Sequence, residues 1–165
     1  MLPTFQVGTP PAWRLVNLID VGQVIRLTAL TPHQVREWTS RRGLVIPDQL
    51  PNGPGSRARF SWQSVLLLRV LNEMHTCFGI GLEDSRESIS SLGTLLQGMS
   101  FIALWDRNIL IRKSKTVAIA DSIALDEACL VIPLNPHLEL LSSLFGDPQS
   151  IKQLSLFSLL TVSSR

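Results

Sequence analysis

A chain of 165 residues, 45 % hydrophobic and 17 % charged, has the length for one domain or two small ones and enough apolar content for a packed core. Its two cysteines, Cys77 and Cys129, stand 52 residues apart with no Cys-x-x-Cys or Cys/His cluster beside them, which argues against structural zinc and for two buried, reduced thiols. The net charge of +2 hides an asymmetry: Met1–Gly81 carries eight arginines, no lysine and four acids, an excess of +4, whereas Leu82–Arg165 carries seven bases against nine acids, a balance of −2.

A basic first half fits a polyanionic partner. No apolar run is long enough to span a membrane, and the N-terminus lacks a charged-then-apolar signal pattern, so a soluble, cytoplasmic protein is expected. Met1–Pro11, with three prolines and a glycine, reads as a flexible arm or a lid strand. It has no charge before Arg14, so no minor-groove role is assigned to it. Trp13–Ile19 reads as a short strand or helix leading into the domain. Asp20 is placed to cap a first helix over Val21–Leu27, with Val21, Val24 and Ile25 facing inward. Thr28–Leu30 makes a turn, with Leu30 between two helices.

Thr31 is placed to cap a second helix that ends near Arg42. Pro32 suits its first helical position, and Gln34 follows the cap by three residues, as in a capping box. Val35, Trp38 and Thr39 share one face at helical spacing. His33, Gln34, Arg36, Glu37, Ser40 and Arg41 fall on the others. One side docks and a long polar side faces out, which suits a recognition helix in a DNA major groove. Gly43 is the expected left-handed residue after it. Leu44–Ile46 reads as the first strand of a wing, Pro51-Asn52-Gly53-Pro54-Gly55 as its turn, and Ala58–Phe60 as the return strand. Arg57 and Arg59, two apart, point to one side and suit phosphate contact.

These residues resemble the MerR family of winged helix-turn-helix regulators. The resemblance is carried by VGQV-IRLTALTPHQVREW-TSRRGLV, the hairpin with Asn52-Gly53, and Arg57-Ala58-Arg59-Phe60-Ser61 opening a helix. It covers roughly Val21–Leu96, about half of the chain. In two places the pattern departs from the family's. The order Arg36-Glu37-Trp38-Thr39 replaces two adjacent aromatics followed by an acid, and the wing arginines are offset. The resemblance implies a DNA-binding domain whose helix Thr31–Arg42 enters the major groove. Arg36 is then the candidate for a bidentate guanine contact, and Gln34 and His33 are further base-edge candidates. Arg41, Arg42, Arg57 and Arg59 are candidate phosphate ligands. Thr31, Glu37 and Ser40 complete the candidate DNA-facing set.

Ser61 is expected to cap a third helix over Trp62–Thr76 that is apolar on two sides and needs cover on both. Gly79-Ile80-Gly81 breaks the chain before a fourth helix, Leu82–Gln97, with Ile89, Leu92 and Leu96 at core spacing. Where the family continues into a long pairing helix, Gly98 intervenes. Phe101–Trp105 and Ile109–Lys113 read as a hairpin, Thr116–Ala120 and Ala128–Leu134 as two more strands, and Asn135–Phe145 as a helix. Ile151–Val162 is ambiguous between helix and strand. The expected fold class is α+β: a winged helix-turn-helix over 1–97, then a small mixed α/β dimerisation or regulatory module over 98–165.

No nucleophile motif, phosphate-binding Gly-Lys-Ser/Thr or paired-carboxylate signature is present, and His33, His75 and His137 are scattered. The chain reads as a non-enzyme with no cofactor and no metal. Its expected partners are double-stranded DNA and a second copy of itself, with no membrane. The first functional reading is a transcriptional regulator. The alternatives are an excisionase-like architectural DNA-binding protein and a protein-interaction adaptor that has lost DNA binding.

Overall fold

The computed structural model describes residues 18–122 and 127–145. The expectations for the N-terminal arm, most of Trp13–Ile19, and Ile151–Val162 lie outside the described residues.

The chain enters through a short strand, β1 (Ile19–Asp20), and turns directly into α1 (Val21–Thr28). Asp20 caps α1 as expected: its carboxylate accepts from the Gln23 amide at 2.9 Å, and Gln23 Oε1 accepts from the Asp20 amide at 3.2 Å. That bond to Gln23 is the main reason the Asp20 carboxyl sits below the usual carboxylate range. Ala29, with φ of 56°, ends α1 in the left-handed region, and its amide donates to the Ile25 carbonyl. Leu30 is buried between α1 and α2 (Pro32–Arg36).

The second helix is not α-helical throughout. After Arg36 it widens into a π-turn over Glu37–Arg41, closed by the Arg42 amide donating to the Glu37 carbonyl at 2.9 Å. Val35, Trp38 and Thr39 are buried, as the spacing predicts. Gly43 takes a φ of +58°. The amides of Leu44 and Val45 then both donate to the Trp38 carbonyl.

Those two bonds explain why the expected wing strand Leu44–Ile46 does not form. Its first donors are spent on the helix end, so the ladder shrinks to one bridge, Gln49 with Arg59. The return strand, β2 (Arg59–Phe60), pairs instead with β1, Ile19 opposite Phe60 and Asp20 opposite Arg59. Between them the wing is a turn-rich loop, with Gly53 at φ +104° and Gly55 at φ +81°.

Ser61 caps α3 (Trp62–Thr76), and Gly79-Ile80-Gly81 separates it from α4 (Leu82–Gln97). α3 is the central post. Val65, Leu66, Leu68, Val70, Leu71 and Met74 are all buried on it. The two covers it requires are α1 on one side, and α4 with α5 (Asn135–Phe145) on the other.

Phe101–Trp105 is not a strand but a 3-10 turn over Ile102–Leu104. The strand it was expected to pair with, β3 (Asn108–Arg112), has both edges occupied. β4 (Val117–Ala120) lies antiparallel on one side and β5 (Cys129–Pro133) antiparallel on the other, in the order β4-β3-β5. Phe101 turns inward and meets Trp62 edge to face at 5.4 Å. One continuous core runs from Ile19 through α3 and α4 to Ile109, Ile132 and Leu141, and β4 packs on α4. The architecture is α+β.

One further expectation changes. Cys77 is exposed and Cys129 half-buried, both as free thiols, so neither is a core residue. Cys77 follows the last turn of α3, where the core has already closed over Met74. Beyond Gly98, Ile109, Ile111, Ile132, Leu138 and Leu141 are buried in the core.

Candidate nucleic-acid interface

The outward face of the second helix is built by what holds the inward one. Trp38 is buried and meets the His75 ring of α3 edge to face at 6.1 Å, fixing the helix about its own axis. With Val35, Trp38 and Thr39 inside, His33, Arg36, Ser40 and Arg41 are exposed together. Arg36 has no ion-pair partner among the described residues.

Thr31 and Gln34 are exposed or half-exposed, but both are committed to the cap. The Gln34 amide donates to Thr31 Oγ1 at 3.2 Å, while Gln34 Oε1 accepts from the Thr31 amide at 2.9 Å and from its hydroxyl at 3.0 Å. The side-chain oxygen of Gln34 is therefore not free, which leaves its NH2 for any outward contact.

Glu37 faces an ion-pair network at the C-terminal end of the helix. Its carboxylate takes Arg42 Nε at 3.0 Å and Arg41 Nη1 at 3.4 Å. The hydrogen bond from Arg42 is the main reason its carboxyl lies below the ordinary value. Arg42 reaches on to Glu83 of α4 at 3.1 Å, and Glu83 also takes Arg86 at 3.0 Å. Arg86 Nη1 in turn donates to the Arg42 carbonyl at 3.0 Å. Arg41 projects freely, with 64 % of its side chain exposed, whereas Arg42 is clasped between two carboxylates. Sequence reading missed this clasp. The Glu83–Arg86 spacing of three marks a helix pair, but nothing local connects it to Arg42, 41 residues earlier.

The wing is tied down at its base. Asp48 Oδ2 accepts from the Ser61 amide and from Ser64 Oγ, both at 2.7 Å, so the loop shares the cap of α3. At the tip the Asn52 amide donates to Ser56 Oγ at 2.9 Å, closing the turn. Arg57 and Arg59 are both exposed on the stem. Asp48, Ser56 and Ser64 lay outside the expected set, and the signal for Asp48, an acid before a Ser-x-x-Ser helix start, is weak.

Residues 19–92 match the family model described as MerR HTH family regulatory protein. The MerR-type segment therefore runs from β1 through most of α4 and contains every candidate contact residue as well as Asp48, Glu83 and Arg86. No curated protein matches the chain. β3, β4, β5 and α5 lie beyond the MerR match. Among the described residues no group of three or more His, Cys, Asp or Glu is placed to hold a metal ion, and no helix is long and apolar enough to cross a membrane.

Proposed function

We propose that this protein is a sequence-specific double-stranded DNA-binding regulator of transcription. The observation that carries the reading is the exposed row His33, Arg36, Ser40 and Arg41 on a helix whose opposite face is locked inside by Val35, Trp38 and Thr39. Such a row can lie in a major groove without disturbing the fold. Arg36, free of acid partners among the described residues, is the base-reading guanidinium. Arg41, Arg57 and Arg59 hold phosphates, and Arg42 does so only by leaving Glu83.

A duplex site selected from a randomised pool provides the test. Arg36→Ala should cost about 1–3 kcal/mol on that site and little on random duplex, whereas Arg57→Ala with Arg59→Ala should weaken both and reduce the salt slope by about one unit for each phosphate no longer neutralised. Equal loss on both duplexes for Arg36→Ala would remove it from base readout. An absence of binding to any duplex at low salt would return the chain to a protein-interaction role.

We read the working form as a homodimer that presents two such helices to a two-fold site. Support comes from Leu140 and Leu144, one turn apart on α5, which remain 50 % and 41 % exposed while Leu138 and Leu141 fill the core. Leu140→Lys with Leu144→Lys in the full chain should sediment as a monomer where the unaltered chain sediments as a dimer. A dimeric double variant would move the contact elsewhere.

A further inference from the structure

Three helices meet at one partly buried polar cluster, away from the exposed row of the second helix. Arg69 of α3 passes between α1 and α5. Its Nη1 donates to the Leu27 carbonyl in the last turn of α1, and its Nε donates to Nδ1 of His137 at 3.1 Å. His137, on α5, is only 4 % exposed. Its Nε2 lies 3.0 Å from Oε2 of Glu73, one turn along α3 from Arg69. A guanidinium can only donate, so Nδ1 must accept. The ring proton therefore sits on Nε2 and is given to Glu73. Only one neutral tautomer satisfies both neighbours. Asn72, between them in sequence, donates from Nδ2 to the Thr28 carbonyl at 3.3 Å. The cluster lines a cleft of 230 Å³ together with Thr28, Ala29 and Thr76.

The two carbonyls held here, of Leu27 and Thr28, immediately precede Ala29, whose positive φ redirects the chain into the recognition helix. Thr28 Oγ1 also accepts the Leu30 amide at 3.3 Å. The angle between α1 and α2 is therefore set by groups reaching out of α3. The longer of those groups, Arg69, is aimed by an α5 residue from outside the MerR match.

We infer that His137 is a positioning residue for the helix-turn-helix: by accepting from Arg69 it fixes the turn Thr28–Leu30, and so makes the stance of the recognition helix depend on the docking of α5. The MerR-type segment is then not self-sufficient in its geometry. A displacement of α5 along α3 would be transmitted to the turn by a chain of three side-chain bonds: Glu73 to His137, His137 to Arg69, and Arg69 to the Leu27 carbonyl. The functional consequence rests on the DNA-binding reading above, but the relay itself does not.

Two amide substitutions in the full chain separate the bonds of the ring. Asparagine can place its oxygen near Nδ1 and keep the acceptor for Arg69. Glutamine can place its NH2 near Nε2 and keep the donor to Glu73, but it offers Arg69 nothing. By amide hydrogen exchange, His137→Gln should lower protection of Ala29, Leu30 and Val35 by ~10-fold relative to Leu92 in α4, and His137→Asn should not. On the selected duplex His137→Gln should bind ~10-fold more weakly with random duplex unchanged, and His137→Asn should restore the preference. Equal loss in the two variants, or no selective loss at the turn, overturns the relay. Loss of protection at the turn in a chain that binds no duplex overturns the DNA reading and leaves the relay standing. Arg69→Lys, which replaces the planar fork spanning the carbonyl and the ring by one ammonium, should also loosen the turn. It decides the question if neither amide variant folds.

Discussion

Arg42 shows how far a residue's charge differs from its availability. Its guanidinium is drawn to Glu37 and Glu83, and those two carboxylates hold its proton more firmly than usual, the bond to Glu37 contributing most. Both carboxylates lie at the surface, so the clasp itself contributes little to stability. Its effect falls on binding, because a phosphate must compete with Glu83. Glu83→Gln should therefore raise affinity for random and selected duplex alike and steepen the salt dependence by up to about one unit. Titration at two salt concentrations checks this, and an unchanged slope would mean that Arg42 stays with Glu37 in the complex. The Thr31–Gln34 cap and the outward placement of Arg36 and Arg41 were legible because a capping box and helical spacing are local signals. The Glu83 clasp, the Asp48 anchor and the His137 relay were not, because each joins residues that only the folded topology brings together.

The elements themselves were read best where a cap and a breaker enclosed them. α1, α3 and α4 fall within a residue of the expected spans, since Asp20, Ser61 and Gly81 start them and Ala29, Cys77 and Gly98 follow their ends. The wing strand and Phe101–Trp105 were misread for one reason. An apolar run marks a segment for burial, but pairing also needs unspent donors and an open edge, and these depend on distant partners. The second helix owes its start to the Thr31 box. Thr31→Ala should reduce stability by about 1 kcal/mol, as seen in the urea midpoint at constant slope, and should weaken duplex binding more than that loss alone would require. A stability change near zero would show that Gln34 and Pro32 suffice to start the helix.

For the molecule as a whole, His137 makes stability depend on pH in a window of its own. Burial, reinforced by the neighbouring Arg69 charge, lowers its pKa from 6.5 to about 4. The ring is neutral when folded, while in the unfolded chain it takes up a proton first as the pH falls. The stabilisation is complete above the unfolded value and declines as pH drops from about 6.5 toward 4. Between pH 7 and pH 5 the loss should be about 2 kcal/mol, read from urea unfolding at each pH. His137→Asn, which does not titrate, should flatten the profile in this interval. Asp20, Glu37 and Glu83, whose carboxyls are depressed, withdraw their support only at lower pH, so they do not blur the result. A wild-type profile as flat as the variant's would mean that the ring is protonated inside the fold. One hydrophobic core includes buried residues on both sides of Gln97-Gly98, from Leu96 to Leu104 and beyond. That continuity was illegible because hydrophobic spacing says which face is covered and not by what.

The π-turn at Glu37–Arg41 carries one more residue than an α-helical path would use to span the same rise. In the vocabulary of insertions and deletions, it is a place where the second helix has a spare letter. Removing Ser40, which is exposed and contributes no buried side chain, would let the ladder close at α spacing while Val35, Trp38 and Thr39 keep their inward positions. The shortened chain should fold with a melting temperature within a few degrees of the original, roughly what 1 kcal/mol would move in a domain of this size. Four α-helical steps turn through about the same angle as five π-helical ones, so Arg41 and Arg42 would keep nearly their present directions relative to Arg36. The site recovered by a fresh duplex selection should therefore match the original, both opposite Arg36 and beside it. A changed site would mean that the π-turn itself sets the directions of Arg41 and Arg42.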